Sequence, residues 1–135
     1  MAFSIALDRE SLVKNVMKKD QAAYGMIPYG LSIGEELFRD VYPEPMKDFL
    51  AQDPKALLEE GLKEIGKEGE QITVTFLQKN SDNDTKVQAE YYQNQWQTKL
   101  GVIVKIDTAS DNSSFNNQVS KGLYQVCQTG WGADY

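Results

Sequence analysis

The residues best suited to chemistry close the sequence: Gly130-Trp131-Gly132-Ala133-Asp134-Tyr135. Two glycines flank a tryptophan, so backbone N–H and C=O groups are open to approach while the indole can close over a ligand. Asp134 adds a carboxylate just past the end of a predicted strand. In open parallel sheets, ligands gather beyond the carboxyl ends of the strands. The chemistry offered is recognition: main-chain hydrogen bonds and one anionic contact. A plain turn with an exposed carboxylate is the competing reading. Segments 79–84 and 108–111 also leave predicted strand ends. The polar run Asn80-Ser81-Asp82-Asn83-Asp84 fails as a calcium loop. Counted from Asp82, position 6 is Val87 and position 12 is Gln93, where such a loop needs Gly and Glu. Helix capping and Asx-turns suit that run better, and it lacks the glycines of a phosphate or dinucleotide loop.

Composition removes other chemistries. The 135 residues contain no histidine, which excludes Ser-His-Asp and Cys-His catalysis and any imidazole-bound metal. Cys127 is the only cysteine, so it forms neither an intrachain disulfide nor a thiolate cluster. It falls in an apolar strand without a base, which predicts a buried structural thiol. The acidic pairs Glu35-Glu36 and Glu59-Glu60 read as solvated helix faces. Tyr91, Tyr92 and Trp96 fall at helical spacing and read as core. No catalytic residue, metal or cofactor is expected, and the chain reads as a non-enzyme. With 14 basic and 20 acidic residues the net charge is −6, which argues against nucleic acid and anionic membrane surfaces. Hydrophobic residues make up 41%, enough for a folded core, and no run of about 18 apolar residues could span a bilayer. The N-terminal Met1-Ala2-Phe3-Ser4 has no signal-peptide pattern.

The elements that must position these residues fall into two parts. Residues 1–70 read as helices and loops and hold all four prolines. Asp8 is placed to cap a helix carrying Leu12, Val13, Val16 and Met17. Residues 21–44, rich in Gly and Pro, predict a wrapping connection with one short turn near 35–38. Asp53-Pro54 opens a helix with Leu57, Leu58, Leu62 and Ile65 on one face, stopping at Gly66 or Gly69. Residues 71–135 read as β-α-β-α-β. The strands are predicted at 72–76, 102–106 and 123–129. One helix carries Ala89, Tyr92, Trp96 and Leu100 and ends at Gly101. A shorter one, capped at Asp111 or Asn112, carries Phe115 and Val119 and ends at Gly122. Such a pattern implies parallel strands with helices on both sheet faces, all within one α/β unit spanning 1–135.

Several ordered motifs then carry a resemblance. Ala2-Phe3-Ser4-Ile5-Ala6-Leu7-Asp8-Arg9 with Leu12-Val13 resembles a helix of the extracellular solute-binding proteins of family 5, the oligopeptide-binding family. Ala23-Tyr24-Gly25-Met26-Ile27-Pro28 is similar to that family's next loop, and Asp53-Pro54-Lys55-Ala56-Leu57-Leu58 to its Asp-Pro helix. Gln95-Trp96 and Leu100-Gly101-Val102 with Val104 resemble its helix-to-strand passage. Gly130-Trp131-Gly132-Ala133-Asp134-Tyr135 resembles its ligand-strand motif most specifically. The resemblance covers essentially the whole chain. It implies a three-layer-like lobe of the periplasmic-binding-protein type II fold, with a short, mainly parallel sheet and helices on both faces. It further implies a receptor that closes two lobes on an extended oligopeptide and delivers it to an ABC permease. This chain would be the smaller lobe, cut from the larger one, monomeric as a fragment, and binding peptide weakly alone. Gly130, Trp131 and Gly132 would supply a backbone edge, and Asp134 would face the peptide's α-ammonium. The parent would be extracytoplasmic, as a lipid-anchored lipoprotein of a Gram-positive surface or in a periplasm. The rival reading is a self-contained cytosolic flavodoxin-like or receiver-like α/β domain, which would need a phosphate loop or an acidic pocket after the first strand.

Overall fold

Aspartate caps start most of the helices, and each cap is local chemistry. The computed structural model describes residues 1–18, 21–42, 44, 46, 48–80 and 82–130. A short α1 (Ala2–Ile5) leads to Asp8, whose Oδ1 accepts from Ser11 N at 2.9 Å and starts α2 (Arg9–Ser11). This helix widens directly into a π-helical stretch, Leu12–Met17, which ends where Lys18 turns left-handed at φ 57°. Local sequence does not announce that change of winding. The connection that follows holds a small antiparallel hairpin, β1 (Ser32–Ile33) and β2 (Glu36–Leu37), running into α3 (Phe38–Val41). The single short turn expected at 35–38 is therefore a hairpin arm followed by a helix. Arg39 organises this loop by donating from Nη2 to Ile27 O at 2.8 Å and standing 3.9 Å from Glu44.

Asp53 caps α4 (Pro54–Glu64), with Lys55 N donating to its Oδ1 at 2.9 Å and Pro54 in the first turn. Leu57 and Leu58 pack on the main core and Leu62 is buried. Ile65 departs from its expected place and is 66% exposed. The end of α4 explains this: Lys67 N donates to Leu62 O and Gly66 N to Lys63 O, a closing turn with Gly66 left-handed at φ 71°. Ile65 lies in that turn rather than on the helical stripe.

The second part forms a parallel sheet in the order β4-β3-β5. Strands β3 (Thr73–Gln78) and β4 (Ile103–Thr108) pair along six residues each, from Thr73 with Ile103 to Gln78 with Thr108. Between them runs α5 (Asn83–Leu100), closed by Gly101 at φ 71°. Alternation along the strands sorts their side chains. Phe76 and Val104 meet Ala89, Tyr92, Trp96 and Leu100 of α5, together with Ala2 and Ala6, and Val74 is buried as well. Leu77 points to the opposite face and packs with Ala109 and with Phe115 of α6 (Asn112–Ser120). Helices thus cover both faces, as the connection lengths require.

The third strand, β5, is Val126–Cys127 alone, paired with Phe76 and Leu77. The expected span of 123–129 is corrected by the end of α6. Gly122 N donates to Val119 O and Leu123 N to Gln118 O, which draws Leu123 into the closing turn. Leu123 and Tyr124 are accordingly exposed. Gln125 then meets β3 through its side chain, with Oε1 accepting from Thr75 N at 2.6 Å. A side-chain bond stands where a ladder bond was expected.

Three side chains of α5 fasten the N-terminal segment. Tyr91 donates to Asp8 O at 2.9 Å, Trp96 Nε1 to Phe3 O at 2.8 Å, and Lys99 to Ala6 O at 2.8 Å. Phe3 meets Trp96 edge to face, centroids 5.4 Å apart.

Candidate functional site

The carboxyl ends of β3 and β5 open into a cavity of about 310 Å³, set between the first turns of α5 and α6. Gln78, Lys79, Thr85, Gln88, Phe115 and Asn116 line it from the scaffold side, with Gln128, Thr129 and Gly130 along the strand exit. Of the residues expected to bind, Gly130 lies on this cavity wall. Trp131, Gly132 and Asp134 lie outside the described residues. Gly130 is exposed, and a Cβ built on it would meet nothing within 4 Å. Its φ is also not in the left-handed region. Neither packing nor backbone conformation in the described chain therefore calls for a glycine at this position.

The two other strand exits are tied into helix starts. Asp82 accepts from Thr85 N and from Thr85 Oγ1, each at 2.9 Å, capping α5. The Thr85 N–H first, then its hydroxyl, hold the Asp82 carboxyl below its ordinary value. Asp111 accepts from Ser114 N at 2.7 Å to cap α6, and that N–H is the main cause of its lowered pKa, with the Ser110 hydroxyl assisting. The polar run after β3 is thus spent on capping, with Asn80 Oδ1 accepting from Asp82 N at 3.4 Å as an Asx-type turn.

The amides at the cavity are what sequence reasoning missed. Gln128 Nε2 donates to Gln88 Oε1 at 3.2 Å, joining the strand exit to α5. Gln78 is 4% exposed, and its Nε2 donates to Asn80 O. A signal did exist: Gln78 continues the alternation of Val74 and Phe76, a polar residue at a covered position.

Cys127 is half-buried rather than fully buried, and burial pushes its thiol up from its ordinary value. It lines a second, largely apolar groove of about 640 Å³ between the N-terminal helices and β5, walled by Phe3, Leu7, Leu12, Met17 and Val126. Strand β5 is an edge of the described sheet, paired on one side with β3. Among the described residues no three His, Cys, Asp or Glu side chains cluster as a metal site, and no helix is long and apolar enough to cross a membrane.

Known proteins are similar to this chain in sequence and fold. The oligopeptide-binding protein OppA of Bacillus subtilis (strain 168) is 32% identical over 136 residues, covering 99% of this chain and 24% of that protein. The solved structure of Listeria monocytogenes OppA bound to peptide matches 99% of this chain and 26% of its own, at 25% identity and a TM-score of 0.82. The substrate-binding domain of an oligopeptide ABC transporter from Bacillus anthracis str. Ames matches the same shares, at 27% identity and a TM-score of 0.79. The chain therefore spans about a quarter of the length of these relatives. The α/β fold is that of type II periplasmic binding proteins, as expected. A flavodoxin-like or receiver-like domain is not favoured. The family described as bacterial extracellular solute-binding proteins, family 5 Middle, matches residues 1–135, and the chain belongs to that family.

Proposed function

We propose that this chain is part of the substrate-binding component of an ABC importer that holds an extended oligopeptide between two lobes. It supplies one lobe, spanning 1–135, whose two sequence parts share a core, and the larger lobe lies elsewhere in the parent polypeptide. The observation that carries this reading is Gly130: a glycine at the rim of a strand-end cavity, with open space where its side chain would be. The open space at this glycine leaves room for a second backbone to approach from outside. A peptide lying there is held through its main chain, a mode that tolerates varied side chains. Gly130, Trp131 and Gly132 form that edge, and Asp134 pairs with the peptide's α-ammonium as a charge-assisted partner. Inside a closed cleft such a pair gains strength from the low dielectric.

The family is extracellular and binds solutes. On that basis the parent works outside the cytoplasm, lipid-anchored at a Gram-positive surface or free in a periplasm, and passes its peptide to a membrane permease. It binds and releases by hinge closure of the lobes, without catalysis. The test is Asp134→Asn in the full-length parent, titrated calorimetrically with trialanine and N-acetyl-trialanine. The variant is expected to lose at least ten-fold in affinity for the free peptide while leaving the acetylated one unchanged. Equal affinity of both proteins for free trialanine would place the ammonium contact elsewhere.

A further inference from the structure

Gln78 is the odd group in this cavity. It ends β3 on the covered face, is 4% exposed, and is fixed by backbone and side chain alike. Its carbonyl accepts from Ala109 N at 3.0 Å, and its Nε2 donates to Asn80 O, which settles which way the amide points. That leaves Oε1 buried with no hydrogen-bond partner among the described residues. A buried amide oxygen without a donor costs free energy, so such an atom calls for a reason. Gln78 stands in the cavity wall facing the strand exit at Thr129 and Gly130.

The surroundings restrict the partner. Lys79 is at the rim, and no acidic side chain lines the cavity among the described residues, which disfavours a cationic side chain. An unpartnered acceptor disfavours a carboxylate. The Gln88–Gln128 amide pair across the cavity offers both a donor and an acceptor face. We infer that Gln78 is a specificity residue, and that this cavity takes a neutral amide side chain, Asn or Gln, from the peptide residue lying against Thr129 and Gly130. The ligand's N–H₂ supplies the donor that Gln78 Oε1 lacks. This rests on the peptide-binding reading above and adds to it a preferred substrate class.

The experiment uses the full-length parent and a tetra-alanine host peptide carrying Gln, Leu, Glu or Lys at each position in turn, with affinities measured by calorimetry. At one position Gln is expected to bind at least ten-fold tighter than Leu, Glu or Lys. Gln78→Leu is expected to erase that preference, bringing the Gln peptide to within about two-fold of the Leu peptide. Gln78→Glu, which keeps the shape and the acceptor, is expected to turn the preference toward Lys, and it serves if the Leu variant fails to fold. Equal affinities across the panel overturn the inference while leaving peptide binding intact. So does a preference that survives both variants, or a uniform loss for every peptide in the variants. Failure of every peptide to bind the unaltered parent would instead overturn the peptide-binding reading itself.

Discussion

Replacing Trp96 with phenylalanine tests how the N-terminal segment is held to the rest of the molecule. Trp96 is 3% exposed, stacks on Tyr92 with centroids 5.8 Å apart, and donates to Phe3 O at 2.8 Å. Trp96→Phe keeps an aromatic ring but removes the only N–H on that side chain. Losing the bond and leaving a carbonyl in a partly buried setting costs about 1–2 kcal/mol. The smaller ring leaves a void beside Phe3 and Phe76 that costs about 1 kcal/mol more. The sum, about 2–3 kcal/mol, is a sizeable share of the roughly 5–15 kcal/mol that stabilises a domain. With a urea slope of about 2 kcal/mol per molar, the midpoint should fall by about 1–1.5 M. The assay is urea unfolding of this chain followed by far-UV circular dichroism. Adding Phe3→Leu completes a double-mutant cycle, and a coupling of about 0.5 kcal/mol or more is expected from the edge-to-face pair. A loss below about 0.5 kcal/mol for Trp96→Phe would refute the claim that α5 fastens the N-terminal helices through this contact.

Two other predictions concern the helix caps and the strand exit. Asp82 and Asp111 have lowered pKa values in the folded chain, so their stabilisation is present above the ordinary aspartate value and is lost as pH falls through the folded one. The melting temperature should therefore decline from just above pH 3.8 downward. Asp82→Asn with Asp111→Asn, which keeps capping oxygens but removes the titration, should flatten that decline, and an unchanged profile would contradict the assignment. Gly130→Val should leave the melting temperature of the chain within a degree or two, because open space surrounds the position. In the full-length parent it should weaken trialanine binding at least ten-fold. A large stability loss with intact binding would show that the glycine serves the fold.

Much of this architecture was legible because its signals are local. Asp8, Asp53, Asp82 and Asp111 each cap the helix that their sequence context announced, and Gly101 ends α5 in a left-handed turn. The buried stripe Ala89, Tyr92, Trp96 and Leu100 follows from helical spacing. What could not be read depends on partners distant in sequence. Residues 123–125 have strand-forming character, yet the closing turn of α6 takes Leu123 and β3 offers β5 two paired positions. Ile65 fits a helical stripe but falls in the turn that ends α4. The winding of Leu12–Met17 has no local marker. For the site, glycine chemistry led to Gly130, whereas the Gln88–Gln128 bond joins residues forty positions apart and is set by tertiary packing. The resemblance in ordered motifs reached the family that residues 1–135 match.

The most direct test of peptide binding between two lobes is calorimetric titration of trialanine into the full-length parent and into this chain alone, under the same conditions. Measurable, saturable binding to the parent is expected, with affinity at least a hundred-fold weaker for the chain, which keeps one face of the site but lacks enclosure. Equal affinity of the two for trialanine, or no binding of any short peptide to the parent, would contradict peptide binding between two lobes.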